Sequence, residues 1–348
     1  MKKGFATVAQ LSEFDEIIDA RSPAEYSEDR IPGALSCPVL DNEQRAEVGT
    51  IYKQRSAFEA RRIGAAMVAD NIARHLRERF HDKPKSWRPL VYCWRGGQRS
   101  GSFVTWLRMI GWDACQLEGG YKAYRRGVVA ALDARPAEFD FRVVCGPTGS
   151  AKTRILEALA RHGAQALDLE ALAAHKGSVL GALPDRAQPT QKWFESTLHR
   201  ALAGFDPARP VYVEAESRKI GRIQIPEALI MAMRASPCVV IDASRQARLD
   251  FLVRDYAYLG EDVEHLVARI DNLKALQSRE TIEQWKTLAR AGALRELYAE
   301  FIDKHYDPLY RRSQNRNFKR IEEATVLTAD NLGEAAIDSL AQHLLANA

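Results

Sequence analysis

The stretch FRVVCGPTGSAKTRILEALARHG at residues 141–163 decides the fold, because it reads as a strand, a turn and a helix in succession. Its first five residues are mostly apolar, which is typical of a strand buried in a parallel sheet. From Lys152 onward the apolar residues recur at helical spacing. A strand that passes through a short glycine-containing turn into a helix predicts an α/β domain.

The turn itself, GPTGSAKT, matches the P-loop pattern G-x-x-x-x-G-K-T except that Ala151 stands where the last glycine belongs. In that pattern backbone N–H groups cradle phosphates, while Lys152 neutralises them and Thr153 can hold Mg²⁺. Ala151 argues against nucleotide hydrolysis more than against phosphate binding, and a chance strand–turn–helix junction is the alternative. The predicted phosphate-binding residues are Gly146, Thr148, Gly149, Ser150, Lys152 and Thr153.

Carboxylates stand at the ends of two further predicted strands. Asp168 lies in the stretch ALDLE, and Glu214 and Glu216 lie in PVYVEAE. Carboxylates at the carboxyl end of a strand suit a general base or a metal site. An ion pair with the cations at residues 218–219 is the alternative, and Glu170 carries the same ambiguity as Asp168.

The pattern of apolar runs divides the chain into two parts. Its length of 348 residues suggests two domains. The pattern breaks near residue 135, so we predict domains at 1–135 and 136–348. Strands are predicted at 16–20, 90–94, 141–146, 166–170, 210–216 and 238–243, and helices at 57–80, 100–111 and 152–163. From about residue 261 the chain is predicted to be mostly amphipathic helix.

Composition excludes several classes of protein. The net charge of +4 is mild, so it permits an anionic partner without requiring one. No apolar run approaches the roughly 20 residues of a membrane helix, and we expect no membrane partner. The five cysteines are scattered and lack metal-ligand spacing. With no secretory apolar segment at the N-terminus, this usage predicts reduced thiols in a cytoplasmic protein.

A second strand–turn–helix junction, VYCWRGGQRSG at residues 91–101, places a thiol at the mouth of a basic turn. The two glycines let backbone N–H groups point into the turn, and the helix N-terminus and two arginines add positive charge. These features favour a nucleophilic thiolate and suit an oxyanion, whereas an inert buried cysteine needs none of them. The predicted catalytic residues are Cys93, Arg95 and Arg99, and the predicted anion loop includes Gly96, Gly97 and Ser100.

The surroundings of this thiol resemble the rhodanese domain, the sulfurtransferase module. The resemblance rests on IIDARSPAEYSEDRIPGALSCPV at 17–39, on the cysteine loop and on LEGGYKAYRR at 117–126. It implies that Cys93 carries sulfur or selenium, or handles an anion that contains it. Within this pattern we interpret Asp19 and Arg21 as a structural ion pair.

The length of the cysteine loop differs from that of ordinary sulfurtransferase rhodaneses by one residue. Cys93 and Arg99 are spaced as C-x5-R and are followed by serine. This spacing resembles the phosphate cradle of cysteine-dependent phosphatases. Our hypothesis is that the loop is sized for a tetrahedral, phosphate-like anion.

A rhodanese domain followed by a P-loop domain resembles the tRNA 2-selenouridine synthase family. Further stretches that resemble this family are VGTIYKQRSAFEARRIGAAMVADNIA, LDLEALAAHKGSVLG, QPTQKWFESTL, VEAESRKIGRIQIP and HYDPLY. They spread over nearly the whole chain. The resemblance implies an N-terminal rhodanese-like α/β domain and a C-terminal P-loop NTPase-like α/β domain with a parallel sheet and a helical C-terminal region.

The activity that the resemblance implies is a two-step change of the wobble uridine of tRNA. First, 2-thiouridine is alkylated on sulfur with a geranyl group from geranyl diphosphate. Then selenium from selenophosphate replaces the geranylthio group. Our hypothesis assigns the first step to the P-loop and the second to the Cys93 loop. We expect these two co-substrates, no tightly bound cofactor, and Mg²⁺ as a candidate ion.

A basic segment near the C-terminus, YRRSQNRNFKR at 310–320, is the candidate site for the tRNA anticodon loop. Cations neutralise phosphates, and Tyr310 and Phe318 could stack an unpaired base. The alternative is a solvated basic helix face. The predicted tRNA-binding residues are Arg311, Arg312, Arg316 and Lys319.

Two functions of other classes remain open from the sequence. One is a cysteine-dependent, phosphatase-like hydrolase, although Tyr92 stands where such enzymes usually have histidine. The other is a sulfur-carrier rhodanese with a regulatory nucleotide-binding domain. Activity on p-nitrophenyl phosphate would favour the first, and persulfide formation without tRNA modification would favour the second.

Overall fold

A computed structural model describes residues 4–178, 180–183 and 185–347, except for the side chains of 311 and 313–316. The chain forms two compact units. The N-terminal unit comprises residues up to 131 together with 190–200, and the C-terminal unit comprises 132–189 and the residues from 201 onward. Each helix in the described ranges is too short or too polar to cross a lipid bilayer.

The N-terminal unit contains a five-stranded sheet in which every pairing is parallel. Its strands are β1 (Phe5–Ala6), β2 (Glu16–Asp19), β3 (Leu35–Ser36), β4 (Pro89–Tyr92) and β5 (Cys115–Leu117). Their order is β1-β5-β4-β2-β3, so the strand that leads to Cys93 is central. All four residues of β4 are buried, as the predicted apolar run requires.

Five α-helices alternate with these strands or follow them along the chain. They are α1 (Pro23–Glu28), α2 (Asn42–Gln54), α3 (Ala57–Arg79), α4 (Gln98–Ile110) and α5 (Gly120–Ala134). The buried side chains of Ile18, Val91 and Phe103 belong to one hydrophobic core. Helix α4 ends at Gly111, which adopts a left-handed φ of +112°. The predicted helices at 57–80 and 100–111 are therefore confirmed to within two residues.

The C-terminal unit contains a second parallel sheet. Its strands are β6 (Phe141–Cys145), β7 (Gln165–Leu167), β8 (Val211–Glu214), β11 (Cys238–Ala243) and β12 (Thr325–Ala329), in the order β12-β11-β6-β8-β7. A two-stranded hairpin joins β9 (Lys219–Ile220) to β10 (Ile223–Gln224). The central strand β6 leads directly into the P-loop.

Further α-helices follow along the chain. They are α6 (Lys152–Arg161), α7 (Leu169–Ala173), α8 (Gln191–Ala203), α9 (Glu227–Ala235), α10 (Arg245–Asp255), α11 (Val263–Asp271), α12 (Arg279–Arg290), α13 (Leu294–Phe301), α14 (Asp307–Asn317) and α15 (Glu334–Ala346). Those from α10 onward make up a mostly helical C-terminal region. A short π-helix, Ile302–Tyr306, joins α13 to α14. Residues of α8 up to Arg200 belong to the N-terminal unit.

Candidate functional site

The P-loop lies between the end of β6 and the start of α6, as predicted. Gly149 adopts a φ of +87°, and a Cβ there would lie 3.0 Å from Leu252 Cγ. The loop therefore requires glycine at this position for both conformation and space. Lys152 donates from Nζ to the Gly146 carbonyl at 3.0 Å, which holds its ammonium beside the loop.

Ala151 explains why the motif usually has glycine at its position. Its φ of +59° and ψ of +27° lie in the left-handed region, and its side chain is only 4% exposed. A residue with a Cβ loses about 1–2 kcal/mol in this conformation. Alanine in place of the usual glycine therefore leaves the shape of the loop intact but strains its backbone at this residue.

Three glutamates meet at the carboxyl edge of the same sheet. Strand β8 lies beside β6, and β7 lies beside β8, so the residues after these strands gather next to the P-loop. Carboxylate oxygens of Glu170, Glu214 and Glu216 lie within 4.8 Å of one another. Thr153 Oγ1 lies 3.2 Å from an oxygen of Glu170 and 3.2 Å from one of Glu214.

The protonation of these glutamates is strongly perturbed. Burial, followed by repulsion between the carboxylates, raises the pKa of Glu170 and of Glu216 to about 8 and that of Glu214 well above its usual value. Lys152 opposes the shift but does not cancel it. Glu214 is 1% exposed, and its Oε1 has no hydrogen-bond partner among the described residues. The cluster therefore holds protons at neutral pH unless a cation compensates its charge.

The structure corrects two expectations about the carboxylates. Asp168 does not join the cluster, because its Oδ1 accepts a hydrogen bond from the Ala171 N–H at 2.7 Å and caps α7. Glu170, which is two residues further along, takes its place. The suggested pairing of the strand-end glutamates with Arg218 is wrong, since Arg218 binds Glu227 at 2.7 Å.

A cavity of about 660 Å³ opens beside the P-loop and the glutamate cluster. Besides these polar groups, it is lined by the apolar and aromatic side chains of Phe251, Tyr256, Tyr306, Leu309, Tyr310 and Phe318. Lys176 also lines it, with its ammonium 4.1 Å from the centre of the Tyr256 ring and 2.5 Å from Asp255. The cavity thus combines phosphate-binding groups with an aromatic wall, which sequence reasoning did not predict because the wall comes from distant helices.

In the N-terminal unit, hydrogen-bond donors surround the thiol of Cys93. The residue is 3% exposed. Its Sγ accepts hydrogen bonds from the Gly97 N–H at 3.3 Å and from the Ser100 hydroxyl at 3.1 Å. Gln116 in turn donates to Ser100 Oγ at 2.9 Å. Two donors of the predicted anion loop are therefore aimed at the sulfur.

The thiol loop is fastened to the start of α5. The Tyr121 N–H donates to the Cys93 carbonyl at 2.8 Å, and the Lys122 N–H donates to the Trp94 carbonyl at 3.0 Å. A Cβ on Gly120 would lie 2.2 Å from the Cys93 oxygen. The second glycine of the L-x-G-G stretch is therefore required for this close approach.

The two predicted arginines of the loop differ in their surroundings. Both terminal nitrogens of Arg99 donate hydrogen bonds to the Glu25 carboxylate, at 2.5 and 3.1 Å. Burial alone would raise the pKa of Glu25, but the Arg99 guanidinium lowers it to about 2. Arg95 is exposed. The sequence patterns assign no role in the site to Glu25, although it belongs to the capping pattern S-x-x-E that begins at Ser22.

The interpretation of Asp19 and Arg21 as a structural pair is confirmed. Their ion pair is 2.6 Å long and almost fully buried. The Tyr92 hydroxyl donates to the same carboxylate at 2.7 Å, and Arg21 also donates to the Asp29 carbonyl. This network lies directly before the thiol loop, because Tyr92 precedes Cys93.

The candidate tRNA-binding segment is only partly described. Arg312 and Lys319 are exposed, while the side chains of Arg311 and Arg316 lie outside the described residues. Phe318 is 4% exposed and lines the P-loop cavity. Phe318 therefore does not offer an open surface on which a base could stack, contrary to the prediction from the sequence.

Comparison with known proteins finds similarity along most of the chain. The model of the family described as "Rhodanese-like domain" matches residues 5–127, and that of "tRNA 2-selenouridine synthase AAA domain" matches 139–284. The tRNA 2-selenouridine synthase of Alcanivorax borkumensis is 31% identical over 84% of this chain and 88% of its own length. That of Shewanella halifaxensis is 31% identical over 88% of this chain and 90% of its own length. The match with the Nitrosomonas europaea protein of the same name, at 35% identity, spans 69% of this chain and 63% of that protein.

Proposed function

The chain belongs to the tRNA 2-selenouridine synthase family, and from this premise we propose that it converts 2-thiouridine in tRNA to 2-selenouridine through an S-geranyl intermediate. The proposed co-substrates are geranyl diphosphate and selenophosphate. One observation carries the two-step form of the proposal. The chain holds both a donor-lined thiol and a phosphate loop that borders an aromatic cavity.

The P-loop cavity suits the first step. The diphosphate would bind the loop N–H groups and Lys152, and the prenyl chain would lie against the aromatic wall. The thiocarbonyl sulfur of the uridine attacks C1 of the geranyl group, and the bond from C1 to the diphosphate oxygen breaks. Pyrophosphate leaves with the electron pair, while the N3 proton of the base is lost. Lys152 stabilises the charge that develops on the leaving group.

The glutamate cluster fits a hard divalent cation. Carboxylate and hydroxyl oxygens are the ligands that Mg²⁺ prefers, and Glu214 offers a buried oxygen without a hydrogen-bond partner among the described residues. Glu170, Glu214, Glu216 and the Thr153 hydroxyl would hold the ion. When bound, Mg²⁺ would neutralise charge on the diphosphate. We expect no tightly bound organic cofactor.

The Cys93 loop suits the second step. Its backbone N–H groups, Ser100 and Arg95 would hold the phosphate part of selenophosphate, with selenium next to the thiolate. Selenium forms a bond to C2 of the uridine, and the bond from C2 to the geranylthio group breaks with loss of geranylthiolate. Water then takes the phosphoryl group from selenium, which releases phosphate. Prior alkylation helps because a geranylthiolate leaves more readily than the unmodified sulfur.

The tRNA would contact the exposed cations of the C-terminal segment. Arg312 and Lys319 are exposed and can neutralise phosphates of the anticodon arm. The wobble base lies in a loop, so little pairing energy opposes its entry into a site.

Mass spectrometry of nucleosides tests the proposal. Thiolated tRNA is incubated with the protein and geranyl diphosphate, with or without selenophosphate. We expect geranylthiouridine without selenophosphate and selenouridine with it. Lys152→Ala should abolish the first product, whereas Cys93→Ser should form the first product but not the second. Unmodified tRNA under all conditions, together with turnover of p-nitrophenyl phosphate, would replace the proposal with the phosphatase-like function.

A further inference from the structure

Two arginine–aspartate pairs connect α10 to the segment that leads into α14. The outer pair, Arg245 and Asp303, is 2.7 Å long, and its side chains are 54% and 52% exposed. The inner pair, Arg248 and Asp307, has two hydrogen bonds of 2.5 and 3.0 Å, and Arg248 is 5% exposed. The two arginines lie about one helical turn apart, as do the two aspartates. The chain thus offers two similar pairs on the same elements.

The inner pair differs from the outer one because it also contacts the P-loop. Arg248 Nε donates to the Thr148 carbonyl at 2.9 Å. Its terminal nitrogens are occupied by Asp307, so all three nitrogens of the guanidinium are bonded in one plane. Asp307 therefore fixes the guanidinium, and the guanidinium fixes the Thr148 carbonyl.

The direction of that carbonyl determines the direction of an N–H group in the loop. A trans peptide is planar, so the Thr148 carbonyl and the Gly149 N–H point to opposite sides of their peptide unit. The loop backbone lies close to α10, since a Cβ on Gly149 would lie only 3.2 Å from the Arg248 carbonyl oxygen. A carbonyl held toward α10 directs the Gly149 N–H away from that helix. Both Thr148 and Gly149 line the cavity.

We infer that Arg248 and Asp307 are positioning residues that hold the Gly149 N–H toward the phosphates of the ligand in the P-loop cavity. The inference rests on the proposed function for the identity of that ligand, a diphosphate. It gives the start of α14 a role in the first step, because Asp307 acts on the ligand only through Arg248 and Thr148.

Arginine-to-lysine variants of the two pairs test this role. Lysine keeps the charge but lacks the planar fork, so it cannot hold the Thr148 carbonyl and both carboxylate oxygens together. We expect Arg248→Lys to weaken binding of inorganic pyrophosphate about tenfold, in line with a misdirected hydrogen bond to a charged ligand. The matched control, Arg245→Lys, should change the affinity less than twofold. Titration calorimetry on the full chain measures both.

Kinetics separate positioning from a general loss of structure. In the geranyl-transfer reaction, Arg248→Lys should raise KM for geranyl diphosphate while KM for tRNA stays unchanged. If Arg248→Lys lowers the melting temperature by more than a few degrees, Asp307→Asn decides, because it retains one carboxamide oxygen as an acceptor for the guanidinium. Unchanged pyrophosphate affinity in Arg248→Lys, or in Asp307→Asn where the first variant is unstable, would overturn the inference.

The same series distinguishes failure of the inference from failure of the proposed function. A wild-type protein that binds ATP but not pyrophosphate would contradict the proposed diphosphate chemistry, and the variants measured with ATP would then decide the positioning role. A wild-type protein that binds neither ligand would overturn both.

Discussion

The glutamate cluster makes stability depend on pH in a direction opposite to that of most carboxylates, and Glu214→Gln tests this. The pKa of Glu170 and of Glu216 is raised to about 8 in the folded chain, against an unfolded value of 4.5. Between these values the folded state binds more protons than the unfolded state, so stability falls as pH rises. The part of the stability that depends on these two groups is fully present below pH 4.5 and is lost by about pH 8.

The size of the effect follows from the shifts. One group moved by about three and a half pKa units would change the free energy of unfolding by about 5 kcal/mol. The real change in the free energy of unfolding is smaller for two reasons. The repulsion between two glutamates must be counted only once, and solvent screens Glu170 and Glu216 because they are half-buried. On the order of 2 kcal/mol then remains for the repulsion between the carboxylates, which corresponds to a melting-temperature change of roughly 6 °C for a unit of this size.

The assay compares melting temperatures of wild type and Glu214→Gln at pH 5.5 and pH 8.5, without divalent cations. Burial also lowers the pKa of several histidines, but their contribution cancels in the difference between the two proteins. The wild type should lose roughly 6 °C more than the variant on going to pH 8.5. Millimolar Mg²⁺ should restore this loss in the wild type and not in the variant. An identical pH response in the two proteins would refute the argument that the carboxylates repel one another.

Three other predictions follow from single contacts. Ala151→Gly should relieve the strain of the left-handed backbone conformation, although glycine also gives the unfolded chain more freedom. The net result should be a melting temperature about 2 °C higher in calorimetry. A lower melting temperature would contradict the argument that Ala151 is strained. Ser100→Ala removes a donor to the Cys93 sulfur, so alkylation of that thiol by iodoacetamide at pH 7, followed by mass spectrometry, should slow about threefold to tenfold. An unchanged rate would show that this hydrogen bond does not affect the reactivity of the thiol. Arg312→Ala should weaken tRNA binding and reduce the slope of log affinity against log salt by about 1 in filter-binding titrations. Arg126→Ala, at another exposed arginine, is the control of equal charge. Equal slopes for the two variants would argue against a specific phosphate contact.

Local patterns were sufficient to predict much of the fold. The apolar runs that became β4 and β6 are buried and central, so each is long and uniform enough to recognise. Strand β12 was missed because it is an edge strand with alternating exposure, which resembles the polar segments around it. Both glycine-containing turns were recognised because their spacing reflects the local geometry of the backbone.

Contacts between distant parts of the chain were beyond the sequence patterns. The sequence does not separate Asp168 from Glu170, because it does not reveal that α7 begins at Leu169 and uses Asp168 as its cap. Arg248 was missed since the Thr148 carbonyl that it contacts is 100 residues away in sequence. Such partners depend on how helices pack, which periodicity does not specify.

The backbone bonds between the thiol loop and α5 determine how the cysteine can become accessible. Opening the loop must break the bonds that the Tyr121 and Lys122 amides donate, so the loop and the first turn of α5 form one cooperative unit. The amide protons of these two residues should therefore exchange with solvent together with those of the Cys93 loop. Their exchange rate provides a measure of how often the thiol is uncovered, read from residues nearly 30 positions downstream.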